Sequence, residues 1–172
     1  LLACAITTGD DHCQWLSPIS NLLRIGQLPL LQALYGSVVI PESVYAEIRA
    51  LESFGIDTSW LVDTEWIAIL PVGDQALVER LKDELDPGEA EAIALAIELK
   101  ADRLLMDERL GRQVAQRFSL RVTGLLGVLV AAKQDKLIAE LKPVLDDLMA
   151  QAKFWVHPEL YRQILQDVNE GD

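Results

Sequence analysis

Cysteine and histidine are scarce: Cys4, Cys13, His12 and His157 are the only ones in the 172 residues. Two thiols close together, with no paired-ligand spacing around them, support neither a disulfide framework nor a zinc centre. Two histidines leave such a centre poorly furnished. No run approaches the roughly 18 apolar residues that cross a bilayer, and no basic segment followed by an apolar run marks a secretory signal. A cytoplasmic protein without a membrane partner is therefore expected. Positive charge is short as well, with a formal net charge of -12. That balance argues against a broad basic face gripping nucleic acid by phosphate neutralisation. It leaves open an approach to phosphate through a bound cation, and it suits a basic protein partner.

The 51% hydrophobic content is enough for one domain with a sizeable core. "SPISNLLRIGQLPLLQALYG" reads as two short helices, broken at Gly26 and stopped at Gly36. "SVVI" is a short β-branched strand, and Pro41 is suited to the first position of the helix "PESVYAEIRAL". "WIAIL", "DRLLM" and "LRVTG" are further strands. The helices "DQALVERLKDEL", Pro87 to Lys100, "DERLGRQVAQRF" and "LLGVLVAAKQ" lie among them, and two more helices follow Leu137, with a break near Trp155 and Pro158. Strands alternating with helices predict an α/β fold, with a mainly parallel central sheet covered on both faces and a helical C-terminal extension.

Three acids border apolar stripes. Asp86, Pro87 and Glu89 form a helix start: an N-cap acid, proline at the first helical position, and an acid that can reach back to the cap. At 100° per residue Glu89 shares its side with Ile93 and Ala96, whereas Glu91 lies near Glu98. The surrounding alanines imply a buried helix, in which a carboxylate needs a cap, an arginine or a metal ion. Asp107 follows "RLLM" at the carboxyl end of a strand, where open parallel sheets bind ligands; it also qualifies as the cap of "ERLGRQVA". Glu47 borders the stripe of Val44, Ile48 and Leu51, although exposure is the commoner fate of a helical glutamate.

With these acids in place, "SPISNLLRIGQLPLLQALYGSVVIPESVYAEI", "LDPGEAEAIALA", "LLMDERLGRQVA" and "RVTGLLGVLVAAK" together resemble the PIN-domain proteins, specifically their prokaryotic VapC-like branch. The resemblance runs from about Ser17 to the C-terminal helices, giving an atypical segment 1–16 and a single PIN-like domain 17–172. It implies a Mg²⁺- or Mn²⁺-dependent ribonuclease, the toxin half of a toxin–antitoxin pair, acting on RNA as a homodimer with a small antitoxin partner. The family's acidic cluster places Glu47 at the helical glutamate and Asp107 at the last acid. Glu89 or Glu91 takes the central-helix acid. Such carboxylates bind a hard cation that stabilises charge at a phosphodiester and activates water.

The family's first strand ends in an Asp shortly before Ser-Pro. Here "SPIS" is present at Ser17 to Ser20, but Trp15 stands two residues before it, and "LLACAITTGDDHC" does not read as that strand. The first metal ligand is missing, which predicts impaired activity. Asp10 and Asp11 are out of register and read as turn acids. Ser17, Asn21 and Thr123 are secondary candidates for orienting a ligand or water, and Arg112 and Lys133 for meeting phosphate; capping or surface roles are the competing reading for each. Trp15, Trp60, Trp66 and Trp155 lack the basic interleaving of a base-stacking platform. Two other classes remain. One is a non-catalytic PIN-like module binding protein or nucleic acid; the other, a receiver-type phosphoacceptor, is disfavoured because no central-strand Asp is placed for it.

Overall fold

Short apolar strands without polar alternation must be buried on both faces. The computed structural model describes residues 2–4, 18–61 and 63–171 and contains five short strands among them, of which Val38–Pro41 is buried at every position. They are β1 (Leu2–Cys4), β2 (Val38–Pro41), β3 (Ile67–Leu70), β4 (Arg103–Leu105) and β5 (Val122–Thr123). All pair in parallel, in the order β3-β2-β1-β4-β5. The helices are α1 (Pro18–Arg24), α2 (Pro29–Tyr35), α3 (Glu42–Ala50), α4 (Gln75–Leu81), α5 (Pro87–Glu98), α6 (Arg109–Arg117), α7 (Leu125–Gln134), α8 (Leu141–Gln151) and α9 (Pro158–Asp167).

The alternation of strand residues divides the core in two. Val38, Ile40 and Leu105 face a cluster built from α1, α2, α3, α7, α8 and α9. Val39, Leu104 and Met106 face a second cluster with α4, α5 and α6. Within the second, α5 lies over β1, β2 and β4, and its alanines let the sheet come close. Ile93 and Leu95 are 0% and 1% exposed, and each such side chain contributes about 1.5–3 kcal/mol on burial.

Most local signals act as read. Gly26 and Gly36, at φ +67° and +74°, take left-handed turns that end α1 and α2. Asp74 caps α4 by accepting the Leu77 N–H at 2.9 Å. Pro41 differs slightly: it closes β2 and serves as the N-cap of α3 rather than its first residue. The opening residues require a correction. Leu2–Cys4 do form a strand, and it is the central one, pairing with β2 at Leu2↔Val38 and with β4 at Leu2↔Arg103. A three-residue run carries no periodicity of its own, so its two neighbours define it.

The C-terminal helices are tied back by Glu170. Both its oxygens accept the Leu141 N–H at 2.8 Å, Oε2 accepts the Lys142 N–H at 2.8 Å, and Oε1 lies 2.6 Å from Lys133 Nζ. The orphan donors at the start of α8 thus find a carboxylate supplied by the residues after α9.

Candidate functional site

In this strand order the chain passes from β1 to β2 and β3 on one side and resumes with β4 on the other. The carboxyl edge between β1 and β4 is therefore a topological switch point. Asp107 lies two residues beyond β4 at that edge. The first turn of α5 arrives there between the first turns of α3 and α6: the Ser43 N–H of α3 donates to Glu91 Oε2 at 3.4 Å, and Gly111 of α6 packs on Glu89.

The two acids of α5 thus diverge. Glu91 turns toward α3, where its charge acts on Glu47. Glu89, 3% exposed, turns toward α6, where a Cβ at Gly111 would come within 2.3 Å of Glu89 Oε1 and 2.4 Å of Met106 Sδ. Glycine at this position is what lets α6 close over the carboxylate. Glu89 also accepts a backbone hydrogen bond from Asp86, the reach-back of a capping box. Asp86 itself makes no side-chain cap bond, contrary to the capping role read for it from sequence.

Asp107 caps a helix, but a different one from that expected. Its Oδ1 accepts the Leu125 N–H of α7 at 2.9 Å, whereas the N-cap of α6 is Glu108, which makes no side-chain cap bond. Gly124 makes room for this contact, since a Cβ there would lie 2.6 Å from Oδ1 and 3.0 Å from Arg112 Nη1.

Each of the three acids keeps one carboxylate oxygen buried without a hydrogen-bond partner: Glu47 Oε2, Glu89 Oε1 and Asp107 Oδ2. Burial pushes the Glu47 carboxyl up to about 7, helped by the charges of Asp86 and Glu91. It pushes Glu89 to about 7 as well, helped by Glu108 and Asp86 and opposed by the Asp86 backbone. Asp107 is pushed to about 6 by burial, against the Leu125 N–H and the charge of Arg112. Desolvation and repulsion by neighbouring acids have the same sign here, and among the described residues no cation cancels them.

A PIN-domain model matches residues 16–170. The chain belongs to the PIN-domain family. Curated proteins and solved structures give no match. PIN domains are generally nuclease-like and metal-dependent, and the unpartnered carboxylate oxygens of this PIN domain are the hard donors that Mg²⁺ or Mn²⁺ takes. Among the described residues, no three His, Cys, Asp or Glu side chains converge closely enough to hold one ion together. β1 supplies no acid, since its residues are Leu2, Ala3 and Cys4. Asp10, Asp11 and Ser17 lie outside the described residues.

The remaining sequence candidates divide. Asn21 is buried on α1, and Thr123, at the end of β5, hydrogen-bonds with Tyr35. Arg112 stands beside Asp107, while Lys133 is committed to Glu170 and the Ala139 carbonyl, away from the acids. Sequence reasoning passed over Ser43, whose buried Oγ has no partner, and Glu108, whose charge reaches both Glu89 and Asp107. Ser43 stands one helical turn before Glu47, a spacing visible in the sequence. Gly111 and Gly124 matter through contacts with Glu89 and Asp107, 22 and 17 residues away, which no local pattern encodes.

Proposed function

We propose that this PIN domain is a Mg²⁺- or Mn²⁺-dependent ribonuclease hydrolysing RNA phosphodiesters, of the VapC-like kind. The observation that carries the reading is the set of buried carboxylate oxygens on α3, α5 and the loop after β4 that no group among the described residues satisfies. Glu47, Glu89 and Asp107 are the acids proposed to hold the cation, with Glu91 as the alternative from α5; among the described residues they do not converge on one point in this structure. A divalent cation, when bound, supplies charge neutralisation at the phosphodiester and a water of lowered pKa. The chain's own part is positional. Leu125 fixes one oxygen of Asp107 and leaves the other available, Ser43 does the same for Glu91, and the Asp86 backbone orients Glu89. Below pH 7 Glu47 and Glu89 retain protons that a cation would displace. The wider biological reading, a toxin that acts as a homodimer and is held by a small antitoxin, rests on the sequence resemblance.

A second reading has an observation in its favour. With no acid in β1 and no converging trio among the described residues, a non-catalytic module binding protein or nucleic acid is the alternative. Calorimetric titration with Mn²⁺, paired with RNA cleavage, separates the two. The same assays on a chain whose first fifteen residues are replaced by a strand ending in Asp show whether the N-terminus limits activity. Metal-dependent cleavage abolished by Asp107→Asn supports the nuclease. Absence of metal binding and cleavage in both chains favours the module.

A further inference from the structure

The charge of the chain is unevenly distributed. From Arg109 to Gln134 there are four arginines, one lysine and no Asp or Glu, in a sequence of net charge -12. Three of these cations are engaged by acids elsewhere. Arg117 makes a two-pronged bond to Glu84, with Nη1 at 3.2 Å and Nη2 at 2.6 Å, Lys133 pairs with Glu170 at 2.6 Å, and Arg121 acts on Asp102. Arg109 and Arg112 have no ion pair or side-chain hydrogen bond among the described residues, and the acid on which Arg112 acts through its charge is Asp107 of the site itself. They stand three residues apart at the start of α6, Arg109 exposed and Arg112 half-buried. The start of a helix is where its dipole disfavours a cation, so helix stability does not account for two arginines there.

Their position is at the edge of the site. Arg109 lies two residues after Asp107, and Arg112 Nη1 lies over Gly124, where its charge acts on Asp107 without a direct ion pair. Arginine presents a planar fork of donors suited to phosphate oxygens, and an unpaired fork at the switch-point edge has those donors to spare. An acidic peptide would meet the repulsion of Glu47, Glu89, Glu91 and Glu108 along its length. A phosphodiester chain brings its charge to the same edge in the form that a metal-dependent nuclease neutralises.

We infer that Arg109 and Arg112 form a phosphate-binding edge at which the sugar-phosphate backbone of the RNA passes from the acid cluster onto the first half of α6. This rests on the nuclease reading for the identity of the substrate. It also explains how a chain of net charge -12 can hold a polyanion: two arginines without an ion pair among the described residues are placed at the edge where the substrate would lie.

The test is fluorescence-anisotropy titration of a labelled RNA oligonucleotide in EDTA, where metal-dependent cleavage cannot interfere, at several salt concentrations. The proteins compared are the wild type, R109Q/R112Q, R109K/R112K and R117Q, each checked for an unchanged melting temperature. The expected result is about tenfold weaker binding by R109Q/R112Q at low salt, with the slope of log K against log salt reduced by about 1.4, since each phosphate contact on a single strand contributes roughly 0.7. R109K/R112K should restore the slope but only part of the affinity, and R117Q should match the wild type. Unchanged affinity and slope in R109Q/R112Q would overturn the inference, as would loss of binding to a polyglutamate peptide with RNA binding intact. Cleavage of the same RNA with Mn²⁺ keeps the two claims apart. Cleavage with undisturbed binding in R109Q/R112Q sinks the arginine edge alone, whereas arginine-dependent binding without cleavage by any variant supports the edge and sinks the nuclease.

Discussion

Glu170 and the acids at the switch point are both carboxylates withdrawn from water, and they are treated in opposite ways. Burial alone would raise Glu170, but Lys133 and the Leu141 and Lys142 N–H groups outweigh it and hold the group below its ordinary value. Glu47 has no lowering partner, Glu89 has the Asp86 backbone and Asp107 the Leu125 N–H and the charge of Arg112, and these do not outweigh burial, so the three rise to about 7, 7 and 6. The contrast shows what a purely structural carboxylate looks like in this fold: every oxygen is used. The switch-point acids do not meet that standard, which is the physical reason to assign them a ligand.

Removing the satisfied acid should have the largest effect. Glu170→Ala leaves Lys133 and two N–H groups at the start of α8 without their partner, and is expected to cost about 3 kcal/mol in urea or thermal unfolding. A loss under 1 kcal/mol would erase the distinction between the two regions. Next comes Gly124→Ala, whose Cβ would intrude on Asp107 Oδ1 at 2.6 Å. It should destabilise by about 2 kcal/mol and weaken Mn²⁺ binding at the same time. Normal metal affinity in a folded Gly124→Ala protein would separate Asp107 from the cation.

Glu47→Gln reverses the sign. With an ordinary value of 4.5 and a folded value of about 7, the stability that Glu47 contributes is fully present below about pH 4.5 and is lost as the pH rises through 7. Glu170, being lowered, contributes above its ordinary value and loses that contribution as the pH falls. The Gln variant should therefore be more stable than wild type at pH 8, by about 1 kcal/mol after solvent screening is allowed for, with no such gain at pH 4. Melting curves at the two pH values decide it, and a gain that does not depend on pH would remove titration as the cause. The smallest expected signal is calorimetric. At pH 6, Mn²⁺ binding measured in two buffers of different ionisation enthalpy should release about two protons, and zero release would mean that the raised carboxyls are not ligands.

The sequence made these acids visible because they interrupt patterns that are themselves regular. Glu47 sits on the edge of the stripe made by Val44 and Ile48, Glu89 opens an alanine-rich helix after proline, and Asp107 ends an apolar strand. The helix and strand alternation was equally legible, since Gly26, Gly36, Pro41 and Pro87 punctuate it locally. What was not legible depends on distance. Whether Glu89 or Glu91 faces α3 is settled by Ser43 and Gly111, which are 48 and 22 residues from their partners in the chain. Asp107 was a plausible cap for α6 by proximity, yet it caps α7, because the carboxyl ends of β4 and β5 bring Leu125 beside it. The PIN resemblance supplied the family; it did not show that β1 would appear at Leu2–Cys4 without an acid.

The position of β1 also bears on how the protein is made. Leu2 pairs with Val38 on one side and with Arg103 on the other, so the middle strand closes one loop of modest length and one of about a hundred residues. During synthesis β1, β2 and β3 can assemble early, but the other edge of β1 stays open until β4 has emerged. The step that joins the sheet halves is then non-local and slow. Until it happens, the nascent chain carries an unprotected strand edge that a chaperone or a second nascent chain can occupy.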